Sequence, residues 1–292
     1  MMTAITAAPP ARARGGRRQP GSWTIMPATY LVAIVIIGIT VVPLLFVFVD
    51  GFRTTADINA SPAGIPHPWT WANYSSILTT APFWQFLGNS LMIAVVATVL
   101  AVGLGSMAAF ALSRYEFRGR EFWYTLFVSG LLFPIGVAAL PLYLLLQQFG
   151  LLDSQWGVAI PEAAFALPMT MVILRPFMRA VPGELEEAAM VEGASKFRFL
   201  WQILLPLSKP ALVTVGLLAF VTSWNQYLLP LLVFTTTSRF TLPLGAATYQ
   251  SQYSVNTGAV LAFTALAMLP ALAVFMFAER YIVAGAAGAV KG

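Results

Sequence analysis

The sequence predicts an all-α polytopic membrane protein with six transmembrane helices, both termini in the cytoplasm, and a polar helical hairpin between the fourth and fifth helices. Three observations carry that prediction. The 292 residues are 59% hydrophobic and only 9% charged, whereas about a quarter of the residues of a soluble domain are charged. The apolar residues gather into six segments, each near or above the roughly 20 residues that cross a bilayer. The basic residues fall on alternate connections, fourteen of the sixteen Lys and Arg on one side, and an excess of that kind marks the cytoplasmic face.

Residues 1–22 are rich in Ala, Pro, Gly and Arg without periodicity and are expected to form a disordered cytoplasmic tail. Arg17-Arg18 looks like part of a twin-arginine export signal, but the apolar run that follows is too long for a cleaved signal peptide. The spans are expected at residues 25–49, 84–112, 122–145, 156–177, 211–234 and 257–283, inside a transmembrane domain covering 23–283, with 284–292 as a cytoplasmic tail. Pro43, Pro134, Pro141, Pro161, Pro168 and Pro230 lie within them. Proline frees a carbonyl and kinks a spanning helix, which is tolerated where neighbours or a cavity satisfy the backbone. A packed bundle suits this better than a lone anchor.

Arg12, Arg14, Arg17 and Arg18, then Arg114, Arg118 and Arg120, then Arg175, Arg179, Lys196, Arg198 and Lys209, and finally Arg280 and Lys291 share the cytoplasmic side. Only Arg53 and Arg239 fall outside. The net charge of +5 is therefore a topology signal rather than a nucleic-acid footprint. The long outer loop, residues 50–83, carries Trp69 and Trp71, which are expected at the membrane interface, and His67, the one histidine, expected to be solvated.

Residues 184–210 read ELEEAAMVEGASKFRFLWQILLPLSKP and are too polar for a bilayer. Glu184, Glu186 and Glu187 load a first helical turn with acid, where the helix dipole favours it. Leu185, Ala188 and Ala189 are spaced to share one small apolar face. Gly193 breaks that helix as a residue free to take positive φ. Ser195 caps a second short helix expected to stop before Pro206. Two short helices about a glycine elbow suit docking into a cleft on a soluble partner.

Glu187-Ala188-Ala189, three residues, Gly193, nine residues, Ile203, one residue and Leu205-Pro206 fit the pattern EAA-x3-G-x9-I-x-LP at every fixed position. The stretch resembles the EAA loop in the membrane subunits of binding-protein-dependent ABC importers. In that family it is the coupling helix seated in a groove of the ATPase, which implies a coupling role for Glu187, Ala188, Ala189, Gly193, Ile203, Leu205 and Pro206. Glu192 stands where relatives often have aspartate. Residues 113–120, the stretch Gly150-Leu151-Leu152-Asp153-Ser154-Gln155-Trp156-Gly157 and the ending Gly288-Ala289-Val290-Lys291-Gly292 look like the carbohydrate class, relatives of the maltose permease G subunit. The resemblance implies a second permease subunit, two ATPase subunits, an extracytoplasmic sugar-binding protein, and a place in the bacterial inner membrane. It also implies alternating access, with ATP and Mg held on the partner ATPases and no cofactor on this chain.

The residues themselves exclude several chemistries. There is no cysteine, and one histidine is too few for a metal centre or a Ser-His triad. None of Lys196, Lys209 and Lys291 follows a phosphate-binding glycine run, so the chain is not expected to be an enzyme or to hydrolyse ATP. Gly103-Leu104-Gly105-Ser106-Met107-Ala108 imitates a dinucleotide fingerprint but lies inside the second span, where small residues make helix contacts.

The fifth span holds a polar run, Thr222 to Tyr227. At 1.5 Å per residue Asn225 lies about 22 Å from Pro210, in the outer half of the membrane. Trp224, Asn225 and Gln226 are the right chemistry for a sugar pathway, since amides bond hydroxyls and rings cover apolar sugar faces; interhelical bonding is the other reading. In the maltose system the sugar is held mainly by the other permease subunit. Glu162 is an acid in the fourth span, placed with the pathway residues. It could bond a hydroxyl, pair across a subunit interface, be protonated, or meet water at an outer helix end. A stand-alone ion-driven carrier or channel, or an integral membrane enzyme, are the alternatives of a different class. Neither accounts for the hairpin.

Overall fold

The computed structural model describes residues 22–79, 82–250 and 255–289, with side chains described between 29 and 279 of these. The N-terminal tail with its four arginines, Lys291 and the side chain of Arg280 lie outside the described residues. The described elements are helical, in the order α1 (Ser22–Asp50), α2 (Thr55–Ala60), α3 (Ala72–Thr79), α4 (Phe83–Arg114), α5 (Arg120–Ser129), α6 (Ile135–Gln148), α7 (Trp156–Ala180), α8 (Glu184–Val191), α9 (Lys196–Phe199), α10 (Leu205–Leu207), α11 (Lys209–Trp224), α12 (Leu228–Val233), α13 (Leu242–Gly245) and α14 (Thr257–Ala289). A polytopic membrane protein follows from the helices themselves. α1, α4, α7 and α14 are each long and apolar enough to cross a bilayer, and two bent pairs bring the number to as many as six.

The chain forms two compact units, one ending at Phe46 and one beginning at Val47. Within the first, α1 is apolar all round, and Tyr30, Ile34, Ile39 and Leu45 are all exposed. A helix without a polar face asks for lipid or protein on every side.

In the second unit α4 packs along α7 and α11, and α11 along α14. Ala94, Ala97, Ala101, Gly105 and Ala109 form the buried stripe of α4. A Cβ at Gly105 would lie 2.4 Å from Thr170 Cγ2, so this glycine sets how closely α4 and α7 approach. A Cβ built at Gly103 would meet nothing within 4 Å, so of the two glycines only Gly105 makes the close contact expected of the small-residue run.

Prolines decide where the spans break. The third apolar segment is bent by 102° between α5 and α6 rather than straight. Pro134 pushes Phe133 to an extended conformation with ψ of 105°, as the residue before proline prefers. The fifth segment, expected to run from 211 to 234, stops as a helix at Trp224 and resumes at Leu228. Pro230 would clash with the carbonyl four residues back, at Gln226, in an unbroken helix. By contrast Pro206 does not end the hairpin's second helix. A π turn over Leu200–Leu204 accommodates it and the helix continues to Leu207, with an 83° bend before α11. A π turn widens the backbone ring where the i to i−4 ladder is interrupted.

Outside the bundle, the loop after α1 closes around Arg53, whose side chain is fully buried. Its guanidinium donates to Asp57 and Asp50 and to the carbonyls of Gly64, Asp57 and Ser61. The bond to Arg53 holds the Asp57 carboxyl below the usual carboxylate range. Phe52 packs on Trp69, Trp71 and Tyr74.

Candidate functional site

The hairpin is rooted in the bundle and open at its tip. Ala189, Phe199, Leu200 and Leu204 are buried against Phe110 of α4, Leu174 and Met178 of α7, and Val215 of α11, with Ile203 and Leu205 packed alongside. A polar anchor sits beside this core. Arg114 Nε lies 4.0 Å from Glu186 Oε2, Tyr115 Oη donates to Glu186 Oε1 at 3.4 Å, and the Lys196 ammonium lies 4.3 Å over the Tyr115 ring. Burial, with Glu186 adding to it, pushes the Tyr115 hydroxyl up to about 12. Glu186 was visible in the sequence only as helix-start acid; its partner Tyr115 lies 71 residues away.

The elbow forms as its residues dictate. Gly193 has φ of +81° with nothing within 4 Å of a Cβ built there. Ser195 Oγ accepts from the Arg198 N–H at 3.2 Å. The expected apolar face of α8 is divided: Ala189 faces the core, whereas Leu185 and Ala188 are exposed together with Glu187. Met190, Val191, Phe197 and Trp201 are exposed as well, Val191 at 87%. Of the motif residues, Ala189, Ile203 and Leu205 hold the hairpin to the bundle, and Glu187, Ala188, Gly193 and Pro206 face outward.

Behind the hairpin, at the root of α5, Arg175 is buried and paired with Glu121. It also donates to Leu112 O at 3.1 Å and lies 4.0 Å over the Tyr124 ring. This arginine, read in the sequence as a topology charge, ties α4, α5 and α7 together.

The polar run of the fifth segment splits around the end of α11. Glu162 of α7 and Thr222, Ser223 and Gln226 share a cavity of about 170 Å³. Ser223 Oγ donates to Glu162 Oε2, and the other carboxylate oxygen, buried, has no hydrogen-bond partner. Glu162 is 7% exposed, so it does not sit at a solvated helix end. Trp224 and Asn225 face a different cavity of about 290 Å³, with Leu242, Phe263, Ala267 and Leu272. Trp224 is buried, stacks on Phe220 at 5.6 Å, and donates to Ala267 O at 3.2 Å. Asn225 caps α11, its side-chain amide donating to Val221 O at 2.9 Å. The four sequence-nominated residues therefore belong to two places. The signal that joins Glu162 to Ser223 is tertiary, since 61 residues separate them.

At the Glu162 end of α7, the turn before the helix clamps the loop after α12. Asp153, with φ of 51°, accepts from the N–H of Thr235 and of Thr236, both at 3.1 Å, and from Thr236 Oγ1 at 2.7 Å. These bonds hold its carboxyl below the usual range, with Arg239 3.4 Å away adding to the effect. A Cβ at Gly157 would lie 2.1 Å from Leu151 O, which is why the turn carries glycine there.

Comparison with known proteins follows the same lines. A family model described as "Binding-protein-dependent transport system inner membrane component" matches residues 101–287. The diacetylchitobiose uptake system permease protein NgcG of Streptomyces coelicolor is 37% identical over 84% of this chain and 82% of its own length. The trehalose transport system permease protein SugB of Mycobacterium tuberculosis is 32% identical over 95% of this chain and 100% of its own. A crystal structure of a bacterial ABC transporter importing the acidic polysaccharide alginate shares the fold at a TM-score of 0.75 and 22% identity, over 94% of this chain and 99% of that one. The chain belongs to the binding-protein-dependent transport system inner membrane component family.

Proposed function

We propose that this member of the family is one permease subunit of an ABC importer that moves a sugar or oligosaccharide across the bacterial inner membrane. The observation that carries the reading is the hairpin. It matches the EAA pattern at every fixed position, is rooted in three helices of the bundle, and presents exposed Met190, Val191, Phe197 and Trp201 around an open glycine elbow. Exposed apolar side chains of that kind mark a surface awaiting a protein. The ATPase subunits dock there and bind the ATP and Mg; this chain has no ATPase site of its own. A second permease subunit completes the path, and an extracytoplasmic binding protein delivers the sugar.

In this reading both termini are cytoplasmic, α5 with α6 makes the third of six spans and α11 with α12 the fifth, and residues 184–210 are the coupling loop. The permease domain covers 23–283, with short cytoplasmic tails on either side. ATP-driven closure of the ATPases pushes the hairpin, and its root in α4, α7 and α11 passes the motion to the helices that line the path. Glu162 and Gln226, with Trp224 and Asn225 across α11, line that path. The permeases of diacetylchitobiose, trehalose and arabinooligosaccharide systems among its relatives support a carbohydrate substrate.

Purification from the native membrane in mild detergent tests the assembly. Recovery of a second permease and an ATPase, with hydrolysis stimulated by a sugar-loaded binding protein, is expected. Recovery of this chain alone, without ATPase, would overturn the reading and turn attention to Glu162 as the acid of an ion-driven carrier.

A further inference from the structure

We propose that the cavity between α7 and α11 is a subsite for one uncharged glycosyl ring, with Glu162 as its hydroxyl-binding group. The inference rests on the importer reading and adds to it that this chain itself holds part of the substrate. Glu162 is buried, and one carboxylate oxygen has no hydrogen-bond partner while the other takes the Ser223 hydroxyl. A buried polar atom without a partner is costly, and a turn of the side chain that presents it to a ligand hydroxyl in the cavity removes the cost. Thr222 and Gln226 add a hydroxyl and an amide to the same cavity wall.

The rest of the wall is apolar but for Thr170, whose hydroxyl donates to Ala166 O at 3.0 Å. Phe165 and Met169 follow Glu162 along α7, with Met169 43% exposed. From Glu162 to Thr170 the α7 wall runs about 12 Å at 1.5 Å per residue. A volume of about 170 Å³ far exceeds the roughly 10–15 Å³ that one water needs. Polar groups gathered at one end and a ring with a thioether at the other match a pyranose, which carries hydroxyls on its rim and C–H groups on its faces. Among the described residues no Lys, Arg or His lines the cavity. A uronate or sulfonate would bring a charge there without a counter-ion, and burial of an unpaired charge is strongly disfavoured.

The chain contains no cysteine, so Met169→Cys places a single reporter thiol at the cavity. The complete importer, carrying that substitution and reconstituted in lipid nanodiscs, is alkylated with an uncharged maleimide during ATP hydrolysis. Labelling is read on this chain by mass. The probes are a mixture of trehalose, maltose and cellobiose, and separately a glucuronic-acid-containing disaccharide. The neutral mixture is expected to slow alkylation and the uronate to leave it unchanged. Glu162→Gln, verified by normal assembly and an unchanged alkylation rate without sugar, is expected to raise the half-protecting concentration about fivefold, as for loss of one ordinary hydrogen bond. No slowing by the neutral sugars, equal slowing by the uronate, or an unshifted Glu162→Gln would each overturn the subsite, with the importer reading intact as long as binding protein stimulates hydrolysis. If no ATPase assembles with the chain, both fall together.

Discussion

The loop after α1 and the hairpin after α7 are the two longest stretches held outside the bundle, and they are finished in opposite ways. The polar centre of the loop is complete in itself, although Ile65, Trp69 and Trp71 are exposed around it. Arg53 is buried and meets two carboxylates and three carbonyls of its own neighbourhood. The loop is also tied to the start of α14, where Thr55 donates to Asn256 at 2.9 Å. The hairpin is complete only at its root. Its buried side chains face the bundle, while Phe197 and Trp201, with ring centroids 5.9 Å apart, remain 61% and 48% exposed. A charge satisfied within the chain marks structure; apolar area left uncovered at a fixed elbow marks a surface meant for another molecule.

The sharpest way to break this contrast is Arg53→Met. It leaves Asp50, 1% exposed, without its cation and Gly64 O without the Arg53 donor, while Asp57 O and Ser61 O keep only their backbone N–H partners. Unpaired buried groups are among the most destabilising changes known. The largest loss of thermal stability of these variants is expected, read by a melting curve in detergent, and a stability within error of the parent would show the knot to be ornamental.

At the hairpin the effect should fall on function instead. Gly193→Asp places an L-residue at φ of +81°, a strain of about 1 kcal/mol, and adds a charge at the elbow. No neighbour lies within 4 Å of a Cβ built there, so the fold tolerates it. ATP-driven uptake is expected to collapse while the melting temperature shifts by a few degrees at most; Gly193→Ala should keep most uptake. Near-normal uptake with aspartate would remove the coupling role.

Phe197→Ser with Trp201→Ser sharpens the same point more gently. Exposed positions of this kind usually change stability by less than about 0.5 kcal/mol each, so the melting curve should hold. Retention of the ATPase through detergent washing should weaken. Equal retention would move the docking surface elsewhere.

The smallest effect belongs to the Asp153 clamp. Its carboxyl titrates below the ordinary value in the folded chain, so the clamp contributes fully above the unfolded value of about 3.9. It is lost as pH falls through the lowered folded value. Hydrogen exchange at Thr235 and Thr236 should therefore be protected at neutral pH and rise only in strong acid. Asp153→Asn should raise it at every pH. Exchange indifferent to both would dismiss the clamp.

Much of the hairpin was legible because its determinants are local. Gly193 takes positive φ and Ser195 caps within three residues of its target, so sequence spacing is also spatial spacing. The cavity was half legible. Glu162 stood out as an acid among apolar residues, yet nothing in its neighbours along the chain pointed to Ser223. The polar run after Phe220 read as one cluster, and α11 divided it, because Pro230 ends the helix and consecutive residues around a helix end point in different directions.

The sequence by itself determined the class: apolar segments too long for a soluble core, basic residues on alternate connections, and the hairpin pattern with its glycine elbow. Those are properties of composition and of contacts a few residues apart, where backbone preferences and transfer free energies act alone. Tertiary structure decided which of the hairpin's apolar residues anchor and which stay open, that Glu186 meets Arg114 and Tyr115, that Arg175 is an interior tie to Glu121, and that Glu162 lies in one cavity with Ser223. Each of those pairings joins residues more than fifty positions apart, and only the packing of helices against one another sets which side chains share a burial site.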